Sequence, residues 1–330
     1  MTARLLRASA VSVAVLALAA CSWRLETPPP EWPSPSPETL VRDAAAAREQ
    51  AVIDATPDGA GASGSTTAQA AVLSEIESVA APARLEALGG FYVPYPHQSP
   101  SPSPSDGRVD LIGAGMGARD GHLAEALVTD DPDLAFLLSS AGLSHALSSW
   151  YSAWVEDAIA QSTEPVVAER LLDSPALPDG GPVPSATSID PAVVADLVVM
   201  HDQARYAYEV LAARAADEER DRWLARRDLQ DARATALAQL PGVADRRESV
   251  YVLRSEDSGD SAARLATAQD LETVAGVTYA TMLNGADAED MPWLLHAAFD
   301  AYAQAAAFGE PTAESYPVPP LPGITVGGGS

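Results

Sequence analysis

Apolar residues recur at three- and four-residue steps along most of this chain, the spacing of one face of a helix. The stripe Val194, Leu197, Val198, Tyr208, Leu211 and Ala215 follows Asp190-Pro191, an N-cap with proline in the first turn, and predicts a helix over 191–215. The run EERDRWLARRDLQDARATALAQL carries Glu218/Arg222 and Arg227/Asp231 at i,i+4 and predicts a second helix over 218–240, stopped by Pro241-Gly242. Leu265, Ala268, Leu271, Ala275, Thr278, Tyr279 and Met282 mark a third over 260–284, closed by Asn284-Gly285. Leu294, Ala298, Ala301, Ala305 and Phe308 mark a fourth over 288–308, closed by Gly309. The earlier part of the chain predicts four more, over 37–56, 67–88, 119–129 and 132–161. Alternating β-branched runs do not exceed Val250 to Leu253, so the expected fold class is all-α, two helical bundles in tandem. The proline- and glycine-rich segment SPALPDGGPVPSATSIDP (174–191) is the expected division. It separates an N-terminal helical domain (38–165) from a four-helix domain (191–324), with the linker drawn over 166–190 and a disordered tail over 325–330.

The first half is less regular. Pro82 interrupts the second predicted helix, and LEALGG ends it at Gly89. FYVPYPHQSPSPSPSDGR (91–108) reads as an extended surface strap whose Phe91, Tyr92 and Tyr95 pack on the helices; a recognition segment is the alternative. GAGMGARDG (113–121) lacks the preceding strand of a phosphate cradle and reads as a flexible lead into a helix. Trp150, Tyr151 and Trp154 cluster at helical spacing, which predicts core packing, with a carbohydrate or peptide platform as the alternative.

Composition changes the picture at the N-terminus. Arg4 and Arg7 precede the apolar run Ala8 to Ala20, the layout of an export signal over 1–20. A bilayer-spanning helix needs about 20 apolar residues, so this run is too short to be one. Leu18-Ala19-Ala20-Cys21 resembles the lipobox of bacterial lipoproteins, which implies cleavage before Cys21 and a lipid on its sulfur; an ordinary signal cleaved at an Ala-x-Ala site is the alternative. Cys21 is the single cysteine of 330 residues, which suits an oxidising compartment. Two acyl chains at about 0.8 kcal/mol per buried methylene hold a durable anchor. The proline-rich stretch up to Pro37 reads as a tether (21–37) of polyproline character. The expected localisation is therefore extracytoplasmic, lipid-anchored to the cell membrane.

All 20 basic residues are arginine against 46 acidic ones, a net charge of -26, which becomes -28 when Arg4 and Arg7 leave with the signal. Such a surface repels phosphate backbones, so no nucleic acid partner is expected, and the membrane is reached through lipid. An envelope protein or a cationic ligand is the partner class this charge allows.

With helices argued from period and caps, HDQARYAYEVLAAR, the Arg-rich helix after it, the YVL loop, a third helix and the terminal YPVPPLPG resemble the ferritin-like domain of unknown function found in lipoproteins of high-GC Gram-positive bacteria. The resemblance spans about 190–324 and rests on element order and on Tyr206-Ala-Tyr208 and Pro322-Gly323. RLEALGGFYVPYP looks like the N-terminal region of the same lipoproteins. It implies a ferritin-like four-helix bundle and assigns no activity.

Di-iron members of the wider fold use a Glu on each of two helices and Glu-x-x-His on the other two. This chain contains no Glu-x-x-His. The nearest substitutes, and so the candidate metal ligands, are His201 with Glu209, Asp228 and Asp231, Glu272, and His296 with Asp300; His296 is expected to pair with Asp300 one turn on. For the histidines, a satisfied core or helix-surface role is the competing reading. The expected interior is packing of Val198, Tyr208, Leu271, Tyr279 and Phe308, with His201 and Glu272 bonded to neighbours. No cofactor and no catalytic residue are expected: a Walker loop needs lysine, Cys21 is consumed by lipid, and no Gly-x-Ser-x-Gly elbow occurs. His122 and His145 lie near several serines, which in so serine-rich a chain points to nothing. The expected function is a non-enzymatic binding or scaffolding module of the cell envelope, the alternative a metal-binding protein or oxidoreductase of ferritin-like descent.

Overall fold

The computed structural model describes residues 35–57, 67–92, 110–161, 168–253 and 259–325. The expected export signal, Cys21, most of the expected tether and nearly all of the 91–108 loop and of the expected tail lie outside the described residues. Among the described residues the chain is all-helical, with eight α-helices, one short 3-10 turn at Ala313–Ser315 and no strand. The helices are α1 (Pro37–Ala55), α2 (Ala68–Ala87), α3 (Leu111–Ala126), α4 (Pro132–Gln161), α5 (Pro191–Ala213), α6 (Asp217–Ala238), α7 (Ser261–Met282) and α8 (Met291–Ala307). None is long and apolar enough to cross a membrane.

Local chemistry sets the ends. Ser36, Thr67, Asp110, Asp190 and Asp260 each accept a hydrogen bond from a first-turn backbone N–H, satisfying a donor the helix cannot. Gly89, Gly242 and Gly285 take positive φ just beyond α2, α6 and α7, the left-handed step that releases the chain.

Two expectations fail at α2 and α3. α2 runs on through Pro82, whose ring lies on the exposed face while Ala81 and Arg84 are buried; burial of the inner face outweighs the lost backbone bond. α3 begins at Leu111, eight residues before the predicted start, so GAGMGARDG is helix and not a flexible lead. Asp110 caps it, and Leu111, Ala114, Ala118 and His122 continue one buried stripe. A Cβ at Gly121 would stand 2.8 Å from Arg48 Cδ of α1, so a larger residue there would push the Arg48 side chain aside.

The four N-terminal helices neighbour one another in the ring order α1, α2, α4, α3, while in the C-terminal half α5 lies along α6 and α7 along α8. The halves are joined. α4 packs on α8, and one hydrophobic cluster runs from Leu123, Leu143 and Leu147 through Leu172 to Val198, Leu237, Tyr279 and Leu294. Trp150, Tyr151 and Trp154 line this junction: Trp150 stacks on Trp154 and meets Phe299 edge-on, and the Tyr151 hydroxyl donates to the carbonyls of Glu310 and Thr312.

The segment after α4 is no loose spacer. Arg170 N donates to Asp300 Oδ1 at 2.8 Å, Leu172 N to His296 Nδ1 at 3.2 Å, Ser174 Oγ to Asp120 Oδ1 at 2.7 Å, and Ser188 N to Asp290 Oδ2 at 3.0 Å. The run 168–190 is a strap bound to both halves. The chain's end returns likewise: Leu321 is buried with Leu88 and Leu134, and Ser140 Oγ donates to the Pro322 carbonyl.

Candidate functional site

The C-terminal helices bury a charged cluster to which all four contribute. Arg226 of α6 donates from Nε to Glu272 Oε1 at 2.7 Å and from Nη2 to Glu272 Oε2 at 2.6 Å and Asp300 Oδ2 at 2.8 Å. Arg233, two turns along α6, donates to the same Asp300 oxygen at 2.8 Å. Tyr208 of α5 donates its hydroxyl to Glu272 Oε1 at 2.6 Å, and Gln230 Nε2 donates there at 3.1 Å. Two guanidiniums thus face two carboxylates, and the buried charge balances. Burial pushes the Asp300 carboxyl up, but Arg226 and Arg233 more than reverse this and hold it at about 2. Burial works against the Arg226 charge, yet Asp300 and Glu272 raise its pKa well above the ordinary value.

This geometry divides the ligand candidates. Glu272 and Asp300 converge, but on arginine. His201 is buried between Gln230 Oε1 and the Tyr279 hydroxyl. Burial, reinforced by Arg233, lowers it to about 3, so it is a neutral core histidine. His296 does not pair with Asp300: its Nδ1 accepts the Leu172 N–H, and Asp300 is taken by Arg170, Arg226 and Arg233. Glu209, Asp228 and Asp231 lie on the outer face, where Glu209 and Asp228 pair with Arg205 and Arg227. They take no part in the buried cluster. Val198, Tyr208, Tyr279 and Phe308 fill the interior, with Leu271 partly buried beside them.

A second cluster, absent from the sequence reading, lies in the N-terminal half. Glu49 of α1, Glu77 and Arg84 of α2, His122 of α3, and Ser144, His145 and Ser148 of α4 are all buried. Glu49 Oε1 lies 2.8 Å from His122 Nε2 and 2.9 Å from His145 Nε2, while Glu49 Oε2 accepts from Arg84 Nε at 3.0 Å. An ionised carboxylate can only accept, so both Nε2 atoms carry protons in this arrangement. Arg84 also donates to Ser144 Oγ at 3.0 Å and from Nη2 to Glu77 Oε2. Ser148 Oγ donates to Glu77 Oε1 at 2.6 Å, and His145 Nδ1 stands 3.5 Å from the same oxygen. The two imidazoles stack, centroids 5.8 Å apart.

Burial and neighbouring Arg84 press His145 toward its neutral form, but Glu49 and Glu77 outweigh them and raise its pKa. For His122 burial prevails over the Glu49 contact and lowers it to about 4. Burial works against the charge on Glu77, yet Arg84 and His145 hold it at about 2. Glu49, Glu77 and Arg84 are locked in their charged forms and hold two imidazoles against one carboxylate oxygen. Glu49, His122 and His145 offer three ligand atoms within 4.8 Å of one another, the one such grouping among the described residues.

The signal for this cluster was present as polar residues on buried stripes. Glu49 follows Ala45 and Ala46 at helical spacing, Glu77 and Arg84 stand two turns apart on one face of α2, and α4 carries Ser144, His145 and Ser148 among leucines. The convergence was not readable, because His122 and His145 are 73 and 96 residues from Glu49. No protein-family model, curated protein or solved structure matches the chain.

Proposed function

We propose that this chain is a lipoprotein anchored through Cys21 to the outer face of the cell membrane, its helical body a non-enzymatic binding or scaffolding module of the envelope. One observation carries the non-enzymatic part: in the C-terminal half, Arg226 stands between Glu272 and Asp300, so the carboxylates that acid–base or redox work would use are sealed in pairs. The resemblance to ferritin-like domains supports reading α5–α8 as a four-helix bundle in tandem with a first one over α1–α4, with a guanidinium standing where that fold gathers carboxylates round metal. The lipobox-like LAAC and the proline-rich tether support the anchor. The net charge favours a basic envelope protein or a cationic ligand as partner.

Cys21→Ser tests the anchor, since a hydroxyl is a far weaker nucleophile than a thiol. The substituted protein loses radiolabelled fatty acid and either keeps its signal or leaves the membrane fraction. Equal membrane retention of both forms, with no lipid mass on the mature N-terminus of either, contradicts the reading.

A further inference from the structure

We propose that Glu49, His122 and His145 bind one divalent first-row transition-metal ion, through Glu49 Oε1 and the two Nε2 atoms. This goes beyond the anchored-module reading and does not depend on it. Two imidazoles and one carboxylate are the ligand set of non-haem iron(II) and of three-ligand zinc(II) sites. Here three different helices deliver them to one point, fully buried. Bonds of about 2.1 Å in tetrahedral geometry place neighbouring ligand atoms about 3.4 Å apart. The nitrogens now stand 2.8 and 2.9 Å from Glu49 Oε1, so an outward shift of about half an ångström per contact admits the ion.

The surroundings are those of a metal site. Histidine ligands commonly turn their second nitrogen to a carboxylate, and His145 Nδ1 stands 3.5 Å from Glu77 Oε1 and 3.4 Å from Arg84 Nη2. Arg84 fixes the carboxylate ligand by bonding Glu49 Oε2, and Glu77 in turn balances Arg84. His122 Nδ1 is buried and is one of eight buried side-chain atoms with no hydrogen-bond partner among the described residues. Among the described residues the ring's hydrogen bond is to Glu49, and its face stacks on His145. When a cation takes Nε2, the displaced proton moves to Nδ1 and breaks no bond there.

The test uses the full chain in detergent, unfolded with chelator and refolded with cobalt(II) as probe, because fully buried ligands load most readily during folding. One cobalt per chain is expected, with the visible absorption of low-coordinate cobalt and two histidine ring N–H proton resonances displaced by the paramagnet. His122→Gln and Glu49→Gln should each weaken binding by at least about 100-fold, and the outer carboxylate change Glu77→Gln by about 10–100-fold. His201→Gln, in the other half, should bind as the parent does. Absence of saturable cobalt in the refolded parent overturns the proposal without any variant. So does binding that His122→Gln leaves unchanged, or loss that follows His201→Gln.

Discussion

Arg226 grips Glu272 with two parallel hydrogen bonds, Nε to Oε1 at 2.7 Å and Nη2 to Oε2 at 2.6 Å, and no part of either side chain is open to solvent beyond 1 %. A buried ion pair gains little against an apolar replacement of the same shape, yet breaking it from one side is costly because the other charge stays behind. Asp300 receives the same nitrogen, so loss of Arg226 leaves two carboxylates in the core, with Arg233 still bonded to Asp300.

Acid should begin to unfold the protein above the carboxylate range. His201 is held at about 3 against an ordinary 6.5, so as pH falls below 6.5 the unfolded chain takes a proton that the native state refuses. Its stabilising contribution is present above 6.5 and is lost toward 3, by about 1.4 kcal/mol per pH unit. Asp300, at about 2 against 3.8, adds a second loss between those values. Urea titrations at stepped pH should show stability falling from about pH 6.5 downward, with a shallower slope between 6.5 and 4 in His201→Gln. An unchanged slope in that variant contradicts the assignment.

Gly276 and Gly323 are fixed by close approach. A Cβ at Gly276 would lie 2.8 Å from the ring of buried Tyr302, and one at Gly323, where φ is +83, would lie 2.5 Å from the Ala280 carbonyl. Gly276→Ala should destabilise by about 1–3 kcal/mol through overpacking. Gly323→Ala adds backbone strain and should detach the chain's end, read as faster hydrogen exchange at Leu321 and Ile324. Wild-type protection there would refute the second expectation.

The strap over 168–190 should behave as structure. Leu172 is buried in the cluster shared by both halves, so Leu172→Ala should cost about 2–5 kcal/mol. Brief native proteolysis should spare the bonds between Ser174 and Asp190, and first cuts there would contradict the packing.

Seven helices were legible within a few residues, because capping aspartate, serine and threonine, closing glycines and the 3.6-residue stripe act locally. α3 was cut short because glycines in GAGMGARDG were weighed as breakers, whereas the Asp110 cap and the buried stripe of Leu111, Ala114, Ala118 and His122 carry the helix through them. The strap was misjudged for a related reason: proline and glycine mark irregular backbone, and irregular backbone can still be bound, as the hydrogen bonds of Arg170, Leu172 and Ser188 show. Glu272 and Asp300 were picked out as convergent, but their partner was sought among histidines. That an arginine on an apparently solvated helix turns inward depends on the rotation of α6, which charge pairs on its outer face obscured. His122 and His145 needed tertiary structure to meet Glu49 at all.

The most direct test of a core organised round Arg226 is a double-mutant cycle with Arg226→Met and Glu272→Gln, followed by urea unfolding. Arg226→Met alone should cost about 3–5 kcal/mol, and the double variant should be less destabilised than the sum of the single ones by about 2–3 kcal/mol, since residues in one buried network couple at this scale. Single effects that add to within about 0.5 kcal/mol would mean that Arg226 and Glu272 act independently, and would contradict a guanidinium-centred core.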